Sequence, residues 1–242
     1  MASADRARPR GRISFARVPC ETPRYRSLYR PVELVSNAAL AAWIYPCWRT
    51  ARIRWTQSLD VLTRLAENTR RPLVFYSWHA YEPLTLCAFR DVPPELMPTG
   101  IGHDGLLSRM LQRATAWFGF RLWIYRRDSP IRPKQQIIDM VRARRCNIGL
   151  FADAGGPYGR VKPGLPEIAR ATDAWLVPLI VRGRPIIMLK RPWHYAFPLP
   201  FCRLTAYSGN PIDGRDATVD LCQDALDAVE RQSTRLTVRT GN

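Results

Sequence analysis

The sequence predicts an α/β chain in which a mixed, largely parallel central sheet is flanked by helices and preceded by an amphipathic helical segment. Two observations carry this expectation. Short apolar runs of strand length recur from Leu73 onward, and between them lie stretches whose apolar residues repeat at helical spacing. Glycine, proline and aspartate punctuate most of the junctions, where turns and helix caps need them.

Taken in order, residues 1–30 form a basic arm rich in arginine and proline, and residues 31–68 a helical segment. Within it PVELVSNAALAAWIYPCW (31–48) is apolar but holds Glu33, Ser36, Asn37 and Pro46, so it is too interrupted for the roughly 20 apolar residues of a membrane span. Trp43, Tyr45 and Trp48 between basic flanks suit either an interfacial helix or one packed on the domain. Residues 49–68 read as a further basic helical stretch. An α/β domain over 69–232 follows, and residues 233–242 form a polar tail.

Inside the domain, Leu73 to Ser77 reads as a buried strand and Glu82 to Phe89 as a helix entered through Pro83. Leu96 to Ile101 is a weaker strand. Asp104 caps a helix running to Gly119, with Leu106, Leu107, Met110, Leu111, Ala114, Trp117 and Phe118 inward. Strands follow at 120–125 and 147–152, separated by a helix from Pro133 to Arg145 that buries Ile137, Ile138 and Val141. After a short helix at 165–172, WLVPLIV (175–181) is expected to pair with PIIML (185–189), and 191–200 to be irregular because of its prolines. A strand at 203–208 and a helix capped near Asp216, with Leu221, Cys222, Ala225 and Val229 inward, complete the domain.

Charge is the unusual quantity. Thirty-seven Lys and Arg oppose twenty Asp and Glu, a formal +17, and only Lys134, Lys162 and Lys190 are not arginine. Nucleic acid, an anionic bilayer or a phosphate-bearing substrate would each answer such a field. No RNA-binding sheet motif, helix-turn-helix cue or zinc finger supports the first, so no nucleic acid is expected, although a basic nucleic-acid-binding protein stays the competing reading. The six cysteines are spaced by 20 residues or more, with no C-x-x-C pair, which fits a reduced intracellular chain without a metal.

Histidine occurs at only three positions: 79, 103 and 194. His79 follows a buried strand directly, and ligands of open α/β sheets bind beyond the carboxyl ends of strands. A packed structural ring is the other reading. As a base, His79 needs an orienting carboxylate, and two are within reach by sequence: Glu82, three residues on, and Asp104, which plain helix capping also explains. The loop DAGGPYGRVKPG (153–164) lets backbone approach a ligand through Gly155 and Gly156, while Arg160 and Lys162, joined by Arg126 and Arg127 after FRLWIY, can bind phosphate oxygens. Neither a P-loop nor a G-x-G-x-x-G fingerprint is present, and G-x-S-x-G is missing too.

These blocks resemble the glycerolipid and lysophospholipid acyltransferase superfamily, especially its short bacterial branch, over roughly residues 70–212. SWHAYEPL is similar to the block holding the catalytic histidine, FGFRLWIYRR to the second block, and LFADAGGPYGRVKPGLPEIARATDAWLVPL to the third and fourth. The resemblance implies a glycerolipid acyltransferase-like fold and transfer of a fatty acyl group from acyl-CoA or acyl carrier protein to a hydroxyl of a lysophospholipid-like acceptor. His79 would be the base, backbone N–H groups near Gly155 and Gly156 the oxyanion donors, and Arg126, Arg160 and Lys162 the phosphate ligands. No cofactor beyond the acyl donor is implied. The family has an acid at the fifth position after the histidine and writes Pro-Glu-Gly-Thr-Arg in the third block; here Leu84 and Asp153-Ala154-Gly155-Gly156 stand there. Peripheral or monotopic attachment to the cytoplasmic face of an anionic membrane is the implied location, and a non-catalytic lipid-binding relative of the fold is a further alternative.

Overall fold

A computed structural model describes residues 30–103, 119–154, 156–189 and 195–239. The helix expected at 104–118 lies outside them, as does the arm before residue 30. Among the described residues, eight strands form one mixed, mostly parallel sheet with helices on its faces. Helix α1 (Arg30–Thr50) is followed by β1 (Arg52–Trp55), α2 (Leu59–Thr69), β2 (Leu73–Ser77) and α3 (Glu82–Ala88). Next come β3 (Thr99–His103), β4 (Arg121–Tyr125), α4 (Pro133–Arg144) and β5 (Ile148–Phe151). Helix α5 (Gly164–Thr172), β6 (Trp175–Leu189), β7 (Tyr195–Ser208), β8 (Ile212–Asp213) and α6 (Val219–Arg239) complete the order. The strands lie as β1-β7-β6-β2-β5-β3-β4, with β8 against β6; β6 is antiparallel to β7 and β8, and the other pairs are parallel.

β2 is buried along its whole length, which is why LVFYS shows no polar alternation: a central parallel strand is covered on both faces. Phe75 points to α3, its ring 5.3 Å from that of Phe89, while Tyr76 on the opposite face donates to the Cys222 carbonyl of α6 at 3.2 Å. The helix ends follow the capping chemistry of the sequence. Ser58 accepts from the Asp60 N–H before α2, Pro133 opens α4 where a missing N–H costs nothing, and Thr218 accepts from the Leu221 N–H at α6. That last cap lies two residues beyond Asp216, near which the cap is expected; Asp216 itself sits in a 3-10 turn.

Three expectations are corrected. Residues 49–68 are not one helix, because RIRW at 52–55 pairs with β7 as the edge strand β1; Ile53 and Trp55 pack on the core while Arg52 and Arg54 stay exposed, the period-two pattern of a strand. Segments 175–181 and 185–189 do not form a hairpin. They are one strand, whose far half pairs with Tyr195–Pro198, so 195–200 is regular as well. Gly183 and Pro185 look like turn residues, but β7 pairs with Gly183 and resumes at Ile186 after a register break at Pro185, and Gly183 is needed for closeness: a Cβ there would lie 2.4 Å from Leu204 Cδ2. Finally, Leu221 is exposed and Leu226 is buried instead, since Cys222, Leu226, Val229 and Ser233 share one helical stripe.

β6 and β7 extend past the end of β2, because β2 stops pairing at Tyr76 and Pro178 whereas the β6–β7 ladder continues to Leu189 and Tyr195. This two-stranded arm overhangs the carboxyl ends of the parallel strands and brings Tyr195 to the residue that follows β2.

Candidate functional site

β2 ends at Ser77, and the chain turns at once through a 3-10 segment, His79–Tyr81, into α3. This short turn puts His79 at the strand's carboxyl end and Glu82 one turn later on the same side. Glu82 Oε2 lies 3.1 Å from His79 Nε2, with side chains 19% and 30% exposed. Tyr195 from the overhanging arm places its hydroxyl 2.9 Å from the same nitrogen. Phe151, at the end of β5, stacks on the imidazole with ring centroids 5.0 Å apart. The His79 N–H donates to Asp153 Oδ1 at 3.2 Å, and Asp153 is 2% exposed.

These neighbours set the protonation state of the ring. Burial pulls the His79 pKa down, but the hydrogen bond and charge of Glu82, aided by the charge of Asp153, outweigh it and leave the pKa above its ordinary value. The Tyr195 phenol is pushed up by burial and then by the Glu82 carboxylate, to which it donates, so it stays protonated and its oxygen is free to accept from Nε2. An anionic carboxylate beside Nε2 demands a proton there; in the neutral ring the lone pair is then on Nδ1, which has no partner among the described residues.

From Glu82 a partly open apolar slot descends between α3 and the sheet. Ser77, Phe151 and Glu82 line its top, Phe75, Leu86 and Phe89 its flank, and Phe120 and Leu122 its far end. The floor is open because Gly100 and Gly149 face each other across β3 and β5. Neither has a left-handed backbone, so their role is to supply space.

A second cluster braces the turn from behind. Glu230 of α6 accepts from Trp78 Nε1 at 2.9 Å, Tyr81 Oη at 3.0 Å, Tyr158 Oη at 2.7 Å and Arg182 Nη2 at 2.9 Å. One carboxylate therefore ties α6 to the turn before and after His79, to the loop after β5 and to β6.

The other sequence candidates fall into distinct places. Asp153 and Gly156 belong to the loop after β5, the strand beside β2, and Asp153 is engaged with the backbone of His79. The Gly156 N–H is spent on the Asp153 carbonyl at 2.7 Å, so it is not an oxyanion donor; a Cβ at Gly156 would meet Lys162 Cε at 2.7 Å, which shows the lysine folded over the loop. Arg160 is exposed in the same loop. Asp104 and Gly155 lie outside the described residues. Arg126 and Arg127 follow β4, three strand spacings or about 14 Å from β2, and Arg126 is exposed and paired with Asp128 at 2.8 Å. Distance keeps them off the imidazole. Sequence reading missed Tyr195, Phe151 and Ser77, of which Tyr195 sits 116 residues from its partner and left no local signal.

Among the described residues no group of three His, Cys, Asp or Glu side chains could hold a metal ion, and no helix is long and apolar enough to cross a membrane. No family model and no curated protein matches the chain.

Proposed function

We propose that the protein is an O-acyltransferase with a glycerolipid acyltransferase-like fold, moving a fatty acyl group from a thioester of CoA or acyl carrier protein to a hydroxyl of a lysophospholipid-like acceptor. The observation that carries this reading is the His79–Glu82 pair, 3.1 Å apart, at the mouth of an apolar slot. A carboxylate-oriented imidazole is a general base, and a narrow apolar groove lined by Glu82, Ser77 and Phe151 beside that imidazole suits an alkyl chain whose carboxyl carbon is the reacting atom.

In the proposed reaction His79 Nδ1 takes the proton of the acceptor hydroxyl as its oxygen attacks the thioester carbonyl. Glu82 and Tyr195 hold the ring from Nε2 and stabilise the imidazolium. The tetrahedral intermediate collapses with cleavage of the C–S bond, and the imidazolium returns its proton to the thiolate. Lys162 and Arg160, in the loop beside β2, supply positive charge for a phosphate of donor or acceptor.

The surface supports a membrane partner. Arg52, Arg203 and Arg184 stand side by side on β1, β7 and β6, all exposed, an arrangement whose mutual repulsion an anionic surface relieves. Phe201 is 75% exposed, and Ile187, Met188 and Leu189 of the arm are exposed as well, as are Trp43 and Tyr45 on α1. The arginine row equally favours a nucleic-acid-binding reading. Partition to anionic vesicles and retention on DNA over one salt series separates the two, and DNA retention without vesicle binding would overturn the proposal. The chemistry is tested by thiol release from acyl-CoA with lysophospholipid acceptors: His79→Ala abolishes it, near-normal turnover in that variant would overturn His79 as the base, and lipid binding by a wild type that releases no thiol would identify a non-catalytic lipid binder.

A further inference from the structure

Inside the slot one polar atom is left over. Ser77 is 2% exposed, and its Oγ makes no hydrogen bond among the described residues. The other polar groups beside it are committed: Tyr76 Oη donates to the Cys222 carbonyl, Thr85 Oγ1 to the Tyr81 carbonyl, and Glu82 holds His79. A buried hydroxyl without a partner is costly and calls for an explanation in what it meets when the site is occupied.

Its position says what that is. Ser77 and Phe75 are two residues apart on β2 and so share the face that packs under α3. Ser77 is the register partner of Phe151, whose ring stacks on His79, and both line the slot. The hydroxyl is therefore set into the wall beside Phe151, the ring that packs on the imidazole. Two residues of chain separate Ser77 from His79, at most about 7 Å between their backbones. An acyl chain with its carboxyl carbon at His79 passes Ser77 within its first few carbons, where an unsubstituted chain presents only methylenes.

Resting on the acyltransferase reading above, the geometry points to a donor whose chain bears a hydroxyl close to the carboxyl end, with Ser77 Oγ as the residue that recognises it. Without that substituent the serine stays unpaired in the complex, and the site rejects the plain chain. Built polar sites discriminate in this way, while purely apolar ones do not.

Displacement of a fluorescent fatty acid from the full chain tests the assignment without requiring turnover. β-Hydroxytetradecanoic acid displaces the probe at least about tenfold more effectively than tetradecanoic acid in the wild type, a modest demand on one hydrogen bond. In Ser77→Ala the two acids become equivalent, the plain acid binds as well as before or better, and the melting temperature is unchanged or higher because an unpaired polar group has been removed. A wild type without preference, or a preference that survives in Ser77→Ala, overturns the inference. Equal weakening of both acids by Ser77→Ala also overturns it, since it would place the hydroxyl on the common carboxyl group. Transfer chemistry is read separately: if the wild type releases no thiol from acyl-CoA with lysophospholipid acceptors, the acyltransferase reading fails while hydroxyl recognition in the slot can still be observed.

Discussion

Replacing Glu82 by glutamine removes one charge and keeps the shape of the side chain, so it isolates what the carboxylate does for His79. The bond lost is a charge-assisted contact of 3.1 Å between side chains 19% and 30% exposed. Hydrogen bonds to charged groups are worth about 1.5–3 kcal/mol, and partial exposure favours the lower half of that range. About 1.5–2 kcal/mol corresponds to roughly a 10- to 30-fold fall in the rate at high pH, where the imidazole is neutral in both proteins. The pH dependence moves the other way. Glu82 raises the His79 pKa against burial; with glutamine the burial effect dominates, the pKa falls, and a base that must be deprotonated works down to lower pH. The acid limb of the pH–rate profile therefore shifts to lower pH in Glu82→Gln, and its deficit against wild type narrows as pH falls. Initial rates of thiol release, followed with a chromogenic disulfide across both limbs, measure both quantities. A deficit constant at every pH, with an unmoved acid limb, would refute the assignment of Glu82 as the carboxylate acting on His79.

Further outcomes follow from the same geometry. Gly149→Leu fills the floor of the slot, where a Cβ meets Pro98 only at 3.9 Å; long donors lose the burial of about four methylenes at ~0.8 kcal/mol each, so activity on them drops by about two orders of magnitude while short donors are spared, as a chain-length series checks. Arg71→Ala breaks the two-bond contact with Asp213, at 2.9 and 2.6 Å, and the stacking on Trp175; denaturant unfolding should show a loss of about 1.5–3 kcal/mol at neutral pH. The Asp213 carboxyl is held well below its ordinary range, first by its hydrogen bonds with Arg71, so the stability it contributes is present above the unfolded pKa and is lost as pH falls toward the folded one; the wild type and Arg71→Ala should converge in acid. Reversing two charges in Arg184→Glu/Arg203→Glu should weaken binding to anionic vesicles by more than about tenfold and flatten its salt dependence, with turnover on soluble short-chain donors unchanged.

The succession of strands and helices was legible because burial writes itself into period. LVFYS carries no polar alternation, as a central strand covered on both faces should, and Ile137, Ile138 and Val141 mark the inward face of α4. Where the reading failed, neighbours distant in sequence decided the conformation. Gly183 and Pro185 favour a turn locally, yet a second strand beside them keeps β6 extended. β1 has four residues, too few for a period to show between two helices. At the site, Glu82 was accessible because a carboxylate three residues from a histidine meets it within one helical turn. Tyr195 was not, since only the overhang of the arm carries it there, and Arg126 looked equivalent to Arg160 until the strand order put β4 on the far edge.

The carboxylate of Glu230 lies 152 residues downstream of the tryptophan it holds. A nascent chain emerging amino end first therefore makes the tryptophan, the loop and β6 before the carboxylate that clasps them. The four contacts form together, when α6 docks. A chain lacking that helix would retain the histidine and the slot residues in its sequence and yet lose the tie between the residues on either side of His79.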